Sequence, residues 1–171
     1  MPQTEESKAL FLSMIPAFCQ SLEDGFNQMV MLPVTIGEVH AKKGGSPTGS
    51  ISGTIGLSGS HGPTGLELRA QISLIFPEAL AQRIFRSMMM MEEDMPVEPA
   101  ELQDVVGELA NITAGGAKTR LSENGFLLSL SLPTVAVGTN HYLSAPSGVT
   151  ISDVIAVGLE GQEFYLEVSI S

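Results

Sequence analysis

The stretch Pro96 to Arg120, P-V-E-P-A-E-L-Q-D-V-V-G-E-L-A-N-I-T-A-G-G-A-K-T-R, decides how the chain is read. It predicts one helix with two unlike faces. Pro99 suits the first helical position, where a missing N–H costs nothing. Lys118 and Arg120 sit near the end where the helix dipole favours cations. Leu102, Val105, Val106, Leu109, Ile112 and Thr113 recur at helical spacing and are expected to face a core. Asp104, Glu108 and Asn111, at i, i+4 and i+7, share the opposite stripe. Gly115 extends that stripe and Glu101 flanks it.

A polar stripe on a helix is ordinarily a solvated face. Here the stripe carries weak helix formers as well. Asn111 sits mid-pattern although its amide competes for backbone hydrogen bonds. Gly107, Gly115 and Gly116 lie close by, and an interior glycine costs roughly 0.5–1 kcal/mol against alanine. So many weak positions suit a helix approached closely by another surface. That surface is either the chain's own sheet or a partner, and the two readings of Gly107 and Gly115 stay open.

Working toward the N-terminus, Pro77 with Glu78 opens a further helix, with Leu80, Ile84, Phe85, Met88 and Met91 on its apolar stripe. The run Met88–Met91 is either core filler or a soft interface. Strands are expected at Val34–Ala41, Gly49–Leu57 and Leu66–Phe76. Gly44-Gly45-Ser46-Pro47 and the segment Ser58 to Gly65 are turn signals between them. The second segment lacks the lysine and the strand–loop–helix order of a phosphate cradle, and it reads as a hairpin turn with His61 exposed on it. His40, His61 and His141 show no metal-ligand spacing. Residues 5 to 31 predict a helix or two helical pieces, since Phe11, Ile15, Phe18, Leu22, Phe26 and Met29 repeat at three or four residues. Pro16 marks a kink or a restart, and Pro33 ends the helical stretch. Cys19 reads as a small buried hydrophobe rather than a nucleophile.

Toward the C-terminus, Asn124-Gly125 signals a tight turn. Phe126–Leu132 is a predicted strand with Phe126, Leu128, Leu130 and Leu132 on one face, interrupted at Pro133. Extended structure resumes at Thr134–Gly138, and Asn140 to Gly148 is loop-like. Val149–Gly158 and Gln162–Ile170 form an expected hairpin turned at Glu160-Gly161.

At 171 residues, 43% hydrophobic and 16% charged, the whole chain (residues 1–171) reads as one globular domain. The fold class expected is α+β, a mainly antiparallel sheet with helices packed on one face. A net charge of −11 opposes binding to nucleic acid or to anionic membranes. A lone cysteine allows no intrachain disulfide and fits a cytoplasmic setting. No signal peptide and no apolar run of membrane-spanning length is expected.

The pattern Asp104-x3-Glu108-x2-Asn111, followed by Pro133 within S-L-P-T-V, resembles the signature of the CheC/CheX/FliY chemotaxis phosphatases. The flanking G-E-L-A-N-I-T-A-G-G-A-K-T-R-L and L-S-L-P-T-V-A-V-G resemble CheX in particular. CheC- and FliY-type members usually carry two copies of the motif, and this chain has one candidate. The residues alone supply no nucleophile, metal cluster or strong base, so a self-contained hydrolase is not expected. The resemblance implies an active site completed by a partner, a phosphorylated CheY-like receiver domain. Asn111 would orient the attacking water and Glu108 would pair with the receiver's active-site lysine. Asp104 is an accessory position, and Pro133 shapes the neighbouring strand end. No cofactor is expected in this chain; Mg2+ belongs to the receiver. The resemblance further implies a homodimer joined through sheet edges. The alternative is a non-catalytic dimeric module that binds a receiver or a flagellar-switch component through the same face.

Overall fold

The computed structural model describes residues 5–42, 48–141, 143 and 148–171. Four helices and seven strands occur among them. The helices are α1 (Glu5–Leu12), α2 (Ile15–Gly25), α3 (Glu78–Met88) and α4 (Pro99–Ser122). The strands are β1 (Thr35–Ala41), β2 (Gly49–His61), β3 (Leu66–Phe76), β4 (Phe126–Leu130), β5 (Thr134–His141), β6 (Ile151–Leu159) and β7 (Gln162–Ile170). The expected turn at Gly44–Pro47, and most of the loop expected at Asn140–Gly148, lie outside the described residues.

All the strands join one antiparallel sheet in the order β1-β6-β7-β3-β2-β4, and β5 also pairs with β2. Long β2 is the hub: its first half pairs with β5 and its second half with β4. Alternate residues of each strand face the helices, as a period of two requires. Ile51, Ile55, Leu57, Ile72, Leu74, Ile155, Leu166 and Val168 are buried on that side. Phe26 and Phe76 both stack on Phe164, with ring centroids 5.2 and 4.7 Å apart. The other face is rich in hydroxyls, with Thr54 bonded to Ser73 and Ser152 to Ser169. A buried ion pair, Lys42 Nζ to Glu167 Oε2 at 2.7 Å, lies within the same fold. The α+β architecture expected from the sequence is thus the one observed.

Several local expectations are settled or corrected. Pro16 marks a restart: α1 ends at Leu12 and α2 begins at Ile15 with the proline in its first turn. A π-helical turn, Phe26–Val30, then adds a residue to the helical register. Val30 therefore takes the buried place and Met29 faces solvent. The helix predicted from Pro96 starts at Pro99, because Glu98 is still extended. The strand β2 runs through His61, and this histidine is 8% exposed rather than on an open turn. His61 bonds the Thr64 hydroxyl at 2.9 Å and the Asn124 carbonyl at 3.0 Å, and its ring lies against Phe126. β4 stops at Leu130, so Leu132 leaves the sheet and stands 88% exposed.

Candidate functional site

Helix α4 is held against the sheet by small residues. Its own Ala110, Ala114 and Ala117 are fully buried on its underside. Gly53 on β2 lies under Val106, so the helix sits close to the strand. The Ser21 hydroxyl donates to the Thr113 carbonyl at 2.7 Å and ties α2 to the middle of α4. Gly116 leaves room for that hydroxyl. Arg120 pairs with Asp24 and secures the C-terminal end.

With Leu102, Val105, Val106 and Leu109 buried, the helical period turns Asp104, Glu108 and Asn111 outward, and all three are exposed. Glu108 and Asn111 are three positions apart, which puts their Cβ atoms about 5–6 Å from one another on one face. Asp104, Glu108 and Asn111 make no hydrogen bond or ion pair with the described residues, so their polar atoms are free for a partner. The Asn111 amide can donate and accept at once.

Pro133, distant in sequence, is brought to this helix. A Cβ at Gly107 would stand 3.3 Å from the Val135 side chain and 3.8 Å from Pro133. Gly107 is thus a packing glycine that lets the β4–β5 junction rest against α4. Gly115 has no atom within contact distance of such a Cβ and lies open beside Asn111. Ile112, expected to face the core, is half-buried and packs toward Gly25 of α2. The sequence reading missed Gly53 and Ser21, which seat the helix. Only the glycine spacing of the lead-in strand hinted at the first.

Among the described residues, no group of three or more His, Cys, Asp or Glu side chains is placed to hold a metal ion. No helix among them is long and apolar enough to cross a membrane. Burial pushes the Cys19 thiol above its ordinary value, helped by Glu23, so this thiol is poorly suited to nucleophilic work.

An exposed acidic residue and an unspent carboxamide on a rigid helix match the sequence signature. The sequence model described as "Chemotaxis phosphatase CheX" matches residues 48–154, more than half of the chain. The chain belongs to the CheX family. Solved structures agree in fold. The chemotaxis protein CheX of Vibrio vulnificus is 26% identical, with a TM-score of 0.80 over 93% of this chain and 99% of that one. A CheC-like superfamily protein of Shewanella sp. PV-4 is 27% identical, with a TM-score of 0.80 over 92% of this chain and 97% of that one. The CheX of a CheX–CheY–BeF3–Mg2+ complex from Borrelia burgdorferi shares the fold at 20% identity, with a TM-score of 0.70 over 92% of this chain and 96% of that one. No curated protein matches the chain.

Proposed function

We propose that this chain hydrolyses the aspartyl phosphate of a CheY-like receiver domain, and that Asn111 and Glu108 complete the receiver's own site. The observation that carries the reading is the outward, unpaired Asn111 amide beside Glu108 on a helix fixed to the sheet. Family membership supports it, and so does the CheX–CheY pairing of the Borrelia complex.

An acyl phosphate is already activated, so the chain needs to supply positioning rather than a strong base. Asn111 accepts a hydrogen bond from a water and donates one to it or to a phosphoryl oxygen. Water then attacks phosphorus in line with the aspartyl oxygen. The P–O bond to the aspartate breaks, the carboxylate leaves with its electron pair, and the water's proton passes to the phosphate released. Mg2+, held by the receiver's own residues, would supply charge neutralisation at the phosphoryl oxygens. Glu108 pairs with the receiver lysine and sets the docking register. Asp104 lies one turn before Glu108 as an accessory carboxylate. Pro133, against Gly107, supports the helix. Among the described residues, β1 pairs with β6 alone, and β4 and β5 pair with β2 alone. Either outer edge would accept a second copy in the homodimer this reading expects.

The deciding experiment follows phosphate loss from a Mg2+-bound, phosphorylated receiver. The wild-type chain accelerates it. Asn111→Ala slows it by on the order of 100-fold while binding to a beryllofluoride-activated receiver persists. An unchanged rate in that variant overturns the assignment.

A further inference from the structure

Helix α3 ends in a way that calls for a reason. The Met91 N–H bonds the Arg86 carbonyl at 2.8 Å and the Met90 N–H bonds the Ser87 carbonyl at 3.2 Å. These are the paired bonds of a Schellman end, whose left-handed position is usually glycine. Here that position is Met90, with φ 54°. Met90 is 85% exposed and Met89 53% exposed, so the strained turn gains little core packing in return. Local strain of this kind collects at binding sites.

The turn borders an open groove of about 680 Å³. Phe85, Met88, Met91 and Val105 form its apolar lining together with Met89. Glu101, Asp104 and Glu108 of α4 line the other side. These three carboxylates have no ion-pair partner among the described residues. Glu108 belongs both to the groove and to the exposed stripe, so the groove continues the Asn111 face.

Two side chains make a small contact. A specific protein interface engages about 20–30 residues a side, so a receiver docked on Glu108 and Asn111 must rest on neighbouring surface too. Methionines supply an apolar surface that adapts to its partner. Unpaired carboxylates select a cation.

We propose that this groove seats a segment of the receiver adjoining its phosphorylation site. The segment presents an apolar side chain to Met89 and Met91, beside the turn at Met90, and a lysine or arginine to Glu101. The inference rests on the phosphatase reading and adds how that site chooses its receiver: by local basic charge and one apolar anchor that match a chain of net charge −11.

The test compares the wild-type chain with Met89→Ser/Met91→Ser and with Glu101→Gln. Each is assayed for phosphate loss over a range of receiver concentrations and for binding to the beryllofluoride-activated receiver. Thermal unfolding and oligomeric state are measured alongside. The double variant is expected to raise the half-saturating receiver concentration about 10-fold, with the maximal rate held within about 2-fold. Glu101→Gln raises it less and weakens its dependence on salt. An unchanged half-saturating concentration in an otherwise active double variant overturns the groove and leaves the phosphatase reading standing. An altered oligomeric state with unchanged receiver affinity assigns the groove to a second copy and equally overturns the proposal. If the wild-type chain binds the receiver without hydrolysing it and the double variant loses binding, the groove is supported and the phosphatase reading fails. A wild-type chain that neither binds nor dephosphorylates any receiver ends both.

Discussion

Gly53 lies beneath Val106 so closely that a Cβ on residue 53 would stand 2.8 Å from the Val106 carbonyl oxygen and 3.3 Å from the Ala110 Cβ. The obstacle is helix backbone, which yields only if α4 moves. Gly53→Ala is expected to cost about 1–3 kcal/mol by overpacking, seen as a lower midpoint in denaturant. Because α4 carries Glu108 and Asn111, phosphate loss should fall with it. A variant of unchanged stability would show that the helix is free to rise.

The roles proposed for Glu108 and Asn111 are separable. On that reading Glu108→Ala removes one partner of a charged hydrogen bond formed on docking, and should weaken receiver binding by about 2 kcal/mol. Asn111→Ala should spare binding and reduce the maximal rate. Titration of a beryllofluoride-activated receiver against both variants separates these outcomes. Equal binding by Glu108→Ala and the wild type would remove Glu108 from the docking register.

The Lys42–Glu167 pair predicts a pH signature. Both side chains are nearly inaccessible, at 8% and 6% exposure. Burial raises the Glu167 carboxyl above its ordinary value of 4.5, while the hydrogen bond and the charge of Lys42 pull it back down. With the folded value raised, this carboxyl favours the fold below its ordinary value, and that support is lost as pH climbs through the folded value. Lys42→Met removes both opposing influences and leaves a buried carboxylate alone at neutral pH. The expected loss is about 3 kcal/mol at pH 7, with most of it regained near the ordinary carboxyl value, where Glu167 holds its proton. Urea unfolding at the two pH values measures it. An equal deficit at both would mean that the pair matters only for shape.

Met90 occupies a left-handed position that glycine would take without strain. Met90→Gly should therefore stabilise the chain by about 1 kcal/mol, a rise in melting temperature of roughly 2–4 °C for a chain of this size. If the groove binds the receiver, the same change weakens docking. A stabler but less avid variant is the combination expected of a turn kept strained for binding.

Legibility followed the range of the contacts. The stripe of α4 could be read because helical spacing alone assigns faces, and Leu102, Val105 and Leu109 settle which way Asn111 points. The β6–β7 hairpin was equally local, and Glu160 and Gly161 both adopt the positive φ its turn requires. His61 was misread because its partner carbonyl belongs to Asn124, far along the chain. Met29 was misread because a π-helical turn shifts the apolar register, and Gly25 just before it does not by itself announce a π-turn. Leu132 alternates correctly on paper, but β4 ends two residues earlier. Gly53 gave only the hint of its strand's glycine spacing, since what fixes it is a helix backbone about a third of the chain away.

Helix α4 is pinned at Ser21, Asp24, Gly53 and the Pro133 junction, four points drawn from three well-separated parts of the chain. The orientation of Asn111 is thus a late product of folding, available only after hairpin, helical pair and strand junction have closed on one another. A nascent or clipped polypeptide would already contain the motif yet hold it in no fixed direction, and on the proposed reading would leave a phosphorylated receiver untouched.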